Sequence, residues 1–198
     1  PIYREQQIQK IWREFSPVTA SEICVGIMGL GVLGLDAARK LNSLDYEVLG
    51  WSSTPKSTDF CSIFYGEGGL HDFLERTNIL VCLLPLTAET DGILCKKTFS
   101  QLPANSCLVS AGRGRHLVEA DLLEALASGQ LRCAAVDVFH EEPLPKSHPF
   151  WENEKIILTP HIASVTNFKT AAKSIAKNIK NWERGGDLEG VVNASRGY

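Results

Sequence analysis

The chain has 198 residues, 44% of them hydrophobic and 22% charged, with a formal net charge of −3, the profile of an ordinary soluble globular protein. A slightly acidic chain without a basic cluster is a poor match for a nucleic-acid backbone, and no uninterrupted apolar run is long enough to span a bilayer. Six cysteines without a CxxC pair read as small buried thiols of a reducing cytoplasm rather than as a disulfide framework or a zinc site, so neither a metal nor a secretory leader is expected.

Along the chain, Ile8, Ile11, Trp12 and Phe15 recur at helical spacing before Ser16-Pro17. They predict a helix within residues 1–20 that serves as a connector or dimer interface, or else packs on its own domain. Apolar strand candidates follow at Ile23–Met28, Tyr46–Trp51, Ile79–Leu84, Cys107–Ala111, Cys133–Val138 and Ile156–Leu158. Continuous apolar runs suit strands covered on both faces, and their alternation with helical segments implies right-handed βαβ units. The expected fold is therefore α/β, a Rossmann-type doubly wound parallel sheet of six strands over residues 21–163. Glu119 to Ser128 predicts a connecting helix with an apolar face at Leu122, Leu123 and Leu126 and a stop at Gly129. Residues 164–198 predict a C-terminal helix and tail, in which Phe168, Ala171, Ala172, Ile175, Ala176, Ile179 and Trp182 form an apolar stripe opposite Lys169, Lys173, Lys177 and Lys180.

The turn after the first strand carries the GxGxxG spacing at Gly29, Gly31 and Gly34, with Val32 and Leu33 opening the helix. In that context the glycines make a tight turn, admit a pyrophosphate to the backbone and let helix and strand pack closely. The second strand ends in Trp51-Ser52-Ser53-Thr54-Pro55-Lys56, without the carboxylate that binds the ribose 2′-hydroxyl of NAD. A 2′-phosphate would meet no repulsion there, and Ser52, Ser53 and Lys56 offer donors, so NADP(H) is expected in preference to NAD, which remains possible.

Downstream strand ends carry three further residues. Arg113, in Ala111-Gly112-Arg113-Gly114, offers a planar fork for a carboxylate, although an arginine taken alone in a glycine-rich turn reads first as an exposed surface group. Glu142 and His161 follow the fifth and sixth strands. A carboxylate on one ring nitrogen would fix the tautomer and raise the pKa of a histidine that transfers protons. His71, His116, His140 and His148 lack such company and read as structural or surface residues.

The motifs Gly29-Leu30-Gly31-Val32-Leu33-Gly34, Leu83-Leu84-Pro85-Leu86-Thr87 with Thr90 and Gly92, Gly112-Arg113-Gly114, Asp137-Val138-Phe139 with Glu142-Pro143, and Thr159-Pro160-His161 run in order along the chain. In them the sequence resembles the D-isomer-specific 2-hydroxyacid dehydrogenase family. Trp51-Ser52, Glu119-Ala120-Asp121-Leu122-Leu123, Pro143-Leu144-Pro145 and Ala194-Ser195-Arg196-Gly197-Tyr198 resemble its members that reduce glyoxylate and hydroxypyruvate. The resemblance implies that His161 protonates the carbonyl oxygen of a small 2-oxo acid, Glu142 orients the histidine, and Arg113 holds the substrate. It implies further cofactor contacts from Leu84, Pro85, Ala111, Gly112 and Asp137, and a homodimer. The family more often has alanine where Gly112 stands. It also places a second, substrate-binding domain mostly before the cofactor domain, so the chain is expected to be N-terminally shortened, and this form is expected to turn over poorly if at all. The rival readings are a dinucleotide-sensing module without turnover and a phosphoglycerate- or formate-type dehydrogenase.

Overall fold

The computed structural model describes residues 2–16 and 18–191. The chain forms two compact units, one running to Pro160 and the other starting at His161. Among the described residues the first unit contains seven strands: β1 (Cys24–Met28), β2 (Glu47–Ser52), β3 (Ser62–Tyr65), β4 (Ile79–Cys82), β5 (Ser106–Ser110), β6 (Leu131–Val136) and β7 (Ile156–Leu158). All pairings are parallel, in the order β3-β2-β1-β4-β5-β6-β7. The chain starts at the centre, winds outward to β3, then crosses back to β4, which leaves a switch point between β1 and β4 at the carboxyl edge of the sheet.

The helices of this unit are α1 (Ile2–Gln9), α2 (Val32–Asn42), α3 (Gly66–Leu74), α4 (Lys96–Phe99) and α5 (Glu119–Ser128). Strand β1 is buried along its whole length, and its residues alternate between two cores: Cys24 and Met28 join the cluster of Phe73, Leu80, Phe99, Leu108 and Phe150, while Val25 and Ile27 join Leu30, Ala38 and Val48. Each fully buried large apolar side chain contributes about 1.5–3 kcal/mol of transfer free energy. In α5, Leu122, Ala125 and Leu126 are buried, Glu119 and Asp121 occupy the first turn, and Gly129 ends the helix at φ 81°, as expected from the sequence.

Two sequence expectations are corrected. The sheet has a seventh strand: β3 is at the edge and only partly buried, so Ser62–Tyr65 lacks the continuous apolar run by which buried strands announce themselves. The N-terminal helix stops at Gln9, where Lys10 turns to φ 56°. Ile11, Trp12 and Phe15 therefore lie beyond it, and the Tyr3 and Phe15 rings meet edge to face at 5.8 Å. Pro17 and the Ala194 to Tyr198 ending lie outside the described residues.

In the second unit, α6 (Phe168–Glu183) is capped by Asn167, whose side chain accepts from the Lys169 and Thr170 amides. None of its residues is buried, and Phe168, Ile175, Ile179 and Trp182 are exposed. Among the described residues no helix is long and apolar enough to cross a membrane.

Candidate cofactor and active site

The glycine loop occupies the switch point. Gly29 has φ 101°, and a side chain there would strike the Leu83 carbonyl; one at Gly34 would lie 1.9 Å from the Gly29 carbonyl oxygen. These two positions are closed by the protein itself. Gly31, the N-cap of α2, has an ordinary φ of −76°, and a side chain there would meet no atom within 4 Å. Val32 and Leu33, the next two residues, are exposed.

At the end of β2, Ser52 is buried and its hydroxyl donates to the Thr54 carbonyl at 2.7 Å, so it holds the turn together. Ser53 is exposed. The Lys56 ammonium donates to the Leu30 carbonyl at 2.6 Å, which brings a cation onto the glycine loop from a segment 26 residues further on. An ammonium has three donors, so this bond leaves two for a ligand.

After β4 come Leu84, buried, and Pro85, partly buried. After β5 come Ala111, Gly112 and the exposed Arg113. The two turns are joined by His116, which the sequence reads only as a structural or surface residue. His116 is completely buried. Its Nδ1 accepts the Arg113 amide at 3.0 Å, and its Nε2 lies 3.2 Å from the Pro85 carbonyl. That pairing requires the neutral ring with the proton on Nε2. Burial accordingly pushes the His116 imidazole below its ordinary pKa, with the Arg113 charge adding in the same direction. A side chain at Gly112 would lie 2.8 Å from Nδ1 of this ring, which accounts for glycine at a place where alanine is more usual in the resemblance. The available signal was the spacing, a histidine three residues after the arginine. Arg115, by contrast, is spent on an ion pair with Asp91.

Gly114 presses the arginine turn onto the loop after β6: a side chain there would lie 1.9 Å from the Phe139 carbonyl oxygen. The Phe139 amide in turn donates to Glu142 Oε1 at 2.9 Å, so Arg113 and Glu142 stand on two backbone segments packed against each other. Asp137 is 6% exposed, and its carboxylate accepts the Thr159 hydroxyl at 2.5 Å. Glu142 is exposed and precedes a cis proline. His161 opens the second unit. It is exposed and has φ 54°, a left-handed conformation that histidine adopts more readily than most residues. Among the described residues no group of three or more His, Cys, Asp or Glu side chains could hold a metal ion.

The first unit thus gathers the glycine loop, the Leu84-Pro85 turn, the arginine turn, Asp137 and Glu142 at the carboxyl edge of one parallel sheet. The family profile described as D-isomer specific 2-hydroxyacid dehydrogenase, NAD binding domain, matches residues 1–163. The chain belongs to this family. Over 196 residues it is 43% identical to glyoxylate/hydroxypyruvate reductase A of Yersinia enterocolitica, an alignment covering 99% of this chain and 63% of that protein. It is similar to the crystal structure of a family member from Xanthobacter autotrophicus in complex with NADPH and MES, with a TM-score of 0.96 and 39% identity over 100% of this chain and 81% of that one. It is also similar to the NADPH-dependent glyoxylate/hydroxypyruvate reductase of Sinorhizobium meliloti in complex with NADP and sulfate, with a TM-score of 0.95 and 39% identity over 100% of this chain and 64% of that one. The chain spans 63% of the length of the curated relatives it matches.

Proposed function

We propose that the chain supplies the cofactor site and the reacting side chains of an NADPH-dependent reductase that converts a small 2-oxo acid, glyoxylate or hydroxypyruvate, to the 2-hydroxy acid. The observation that carries this reading is Gly31. Its backbone would accept any residue and its surroundings would admit one, so the protein's own packing gives no reason for glycine. A dinucleotide phosphate resting on the backbone at the α2 N-terminus does. The residues present therefore fit the cofactor.

When bound, the reduced nicotinamide supplies the hydride. The chain's own groups do the rest. Arg113 holds the substrate carboxylate through its two-pronged donor face. His161 gives a proton to the carbonyl oxygen as negative charge gathers there, and Glu142 orients that ring. Asp137, held by Thr159, contacts the nicotinamide carboxamide. The 2′-phosphate of NADPH is favoured because the stretch from Trp51 to Lys56 has no carboxylate and Lys56 already lies on the glycine loop. The cofactors bound in the two related structures above, NADPH and NADP, support the same choice, and NAD is the weaker ligand. The six free cysteines suit a cytoplasmic setting, and Ile8, Ile11 and Trp12, the last 95% exposed, suit a homodimer contact.

The test is a fluorescence titration of the chain with NADPH and, separately, with NADH. The expected result is saturable NADPH binding, tighter than that of NADH by about tenfold, or about 1.4 kcal/mol. Binding of neither dinucleotide overturns the reading.

A further inference from the structure

The opposite, amino-terminal edge of the sheet holds a group of side chains that hydride transfer does not use. Cys107 on β5 and Cys133 on β6 are register partners in a parallel pair, so both side chains leave the same face. Their sulfurs are 3.4 Å apart. Neighbouring strands lie about 4.8 Å apart, within the Cα separation that a disulfide spans. The register slips between Ser106 and Cys107, whose partners are Leu131 and Cys133. Arg132 is the extra residue of this bulge, and bulges re-aim side chains. Its guanidinium lies 3.3 Å from the Cys107 sulfur.

We propose that Cys107 and Cys133 form a peroxide-reactive dithiol, with Cys107 as the attacking sulfur, Cys133 as the resolving sulfur and Arg132 as the cation that supports the attacking thiolate. The hydrogen bond from the Cys133 thiol, together with Arg132, draws the Cys107 thiol below its ordinary range, whereas donating to Cys107 raises Cys133. The other cysteines lack this setting. Burial pushes Cys24 up to about 12 and Cys82 up to about 11, and Cys61 and Cys95 each face a threonine hydroxyl. A low-pKa thiolate beside a resolving cysteine is the arrangement on which sulfur oxidation stays reversible; Cys107 is 9% exposed and Cys133 partly buried, so the oxidant that reaches the pair is a small one.

The oxidant is hydrogen peroxide. The Cys107 thiolate attacks one peroxide oxygen, forming an S–O bond as the O–O bond breaks, and the departing oxygen leaves as water after taking a proton. The Cys133 sulfur then attacks the sulfenic sulfur. An S–S bond forms, the S–O bond breaks, and the Cys133 proton leaves with the oxygen as a second water. Two thiols lose two electrons and one peroxide gains them. A small dithiol reductant restores the pair. The sulfurs sit at the strand ends opposite those leading to Arg113 and Asp137, so the chemistry is separate from the dinucleotide site.

The experiment treats the fully reduced chain with equimolar hydrogen peroxide, alkylates the remaining thiols and maps the peptides by mass. Two of the six thiols are expected to be lost, with Cys107 and Cys133 joined and dithiothreitol reversing the link. In Cys133→Ser, dimedone should label Cys107. Arg132→Ala should give the same bridge several-fold more slowly. A first bridge through any other cysteine, retention of all six thiols, or dimedone labelling of Cys133 in Cys107→Ser as fast as that of Cys107 in Cys133→Ser overturns the proposal. An unchanged rate in Arg132→Ala removes Arg132 from it. Dinucleotide binding is not a readout here, so failure of this test leaves the reductase reading standing.

Discussion

The glycine loop and the arginine turn use the same residue for opposite ends. In the arginine turn both glycines are filled by the protein: Gly112 lies under the His116 ring and Gly114 under the Phe139 backbone. In the glycine loop Gly29 and Gly34 are closed in the same way, but Gly31 faces open space. A glycine that the fold needs and a glycine that a ligand needs are indistinguishable in sequence. They separate only when the volume next to each is known.

The comparison breaks first at Gly114. Gly114→Ala places a methyl group 1.9 Å from the Phe139 carbonyl oxygen, and backbone cannot swing aside as the end of a flexible side chain can. The expected loss is about 3 kcal/mol, read as a lower urea midpoint. An unchanged midpoint would mean that the arginine turn and the Phe139 loop are not packed as described.

His116 tests the same turn from the other side. Removing the ring in His116→Ala leaves the Arg113 amide without its acceptor and is expected to cost about 1–3 kcal/mol. Its titration carries a sign. Burial holds the folded-state pKa below the ordinary 6.5, so the unfolded chain takes up the proton first as pH falls. The stability tied to the neutral ring is full above about 6.5 and is lost as the pH drops through the lower folded-state value. Wild type should therefore lose stability between neutral pH and pH 5 more steeply than His116→Ala. Parallel pH curves for the two proteins would show that the ring titrates freely and does not bridge the turns.

Much of this was legible in the sequence, for a physical reason. Strands covered on both faces must be apolar throughout, so β1, β2 and β4 to β6 stand out, and edge strand β7, only partly covered, is marked by the apolar run Ile156–Leu158 alone; residues just after strand ends in a parallel sheet fall on one edge, so Gly29, Arg113 and Asp137 group together from the sequence. Edge strand β3, only partly covered, carries no such run. The spacing of Ile8, Ile11, Trp12 and Phe15 was periodic, but periodicity becomes a helix only when something covers the apolar face, and these side chains are exposed. His116 was out of reach because its role depends on the carbonyl of Pro85, 31 residues away.

Gly31→Ala is the complement of Gly114→Ala. With open space around the new methyl group and φ already at −76°, stability should stay within about 0.5 kcal/mol of wild type, while NADPH affinity falls by about tenfold. The split between the two measurements is what identifies a glycine kept for a ligand. Equal loss of stability and affinity would return Gly31 to the class of Gly34.

Lys56→Ala should give the smallest effect. The ammonium is exposed and holds the Leu30 carbonyl, and attraction between exposed charges is weak and screened by salt. NADPH affinity is expected to fall by no more than about fivefold, NADH affinity by less, and the difference to shrink as salt is added. The salt dependence decides between two roles for one residue. A cation that meets the 2′-phosphate loses its advantage in high salt and affects only the phosphorylated cofactor. One that merely braces the glycine loop through Leu30 would weaken both dinucleotides equally at any ionic strength.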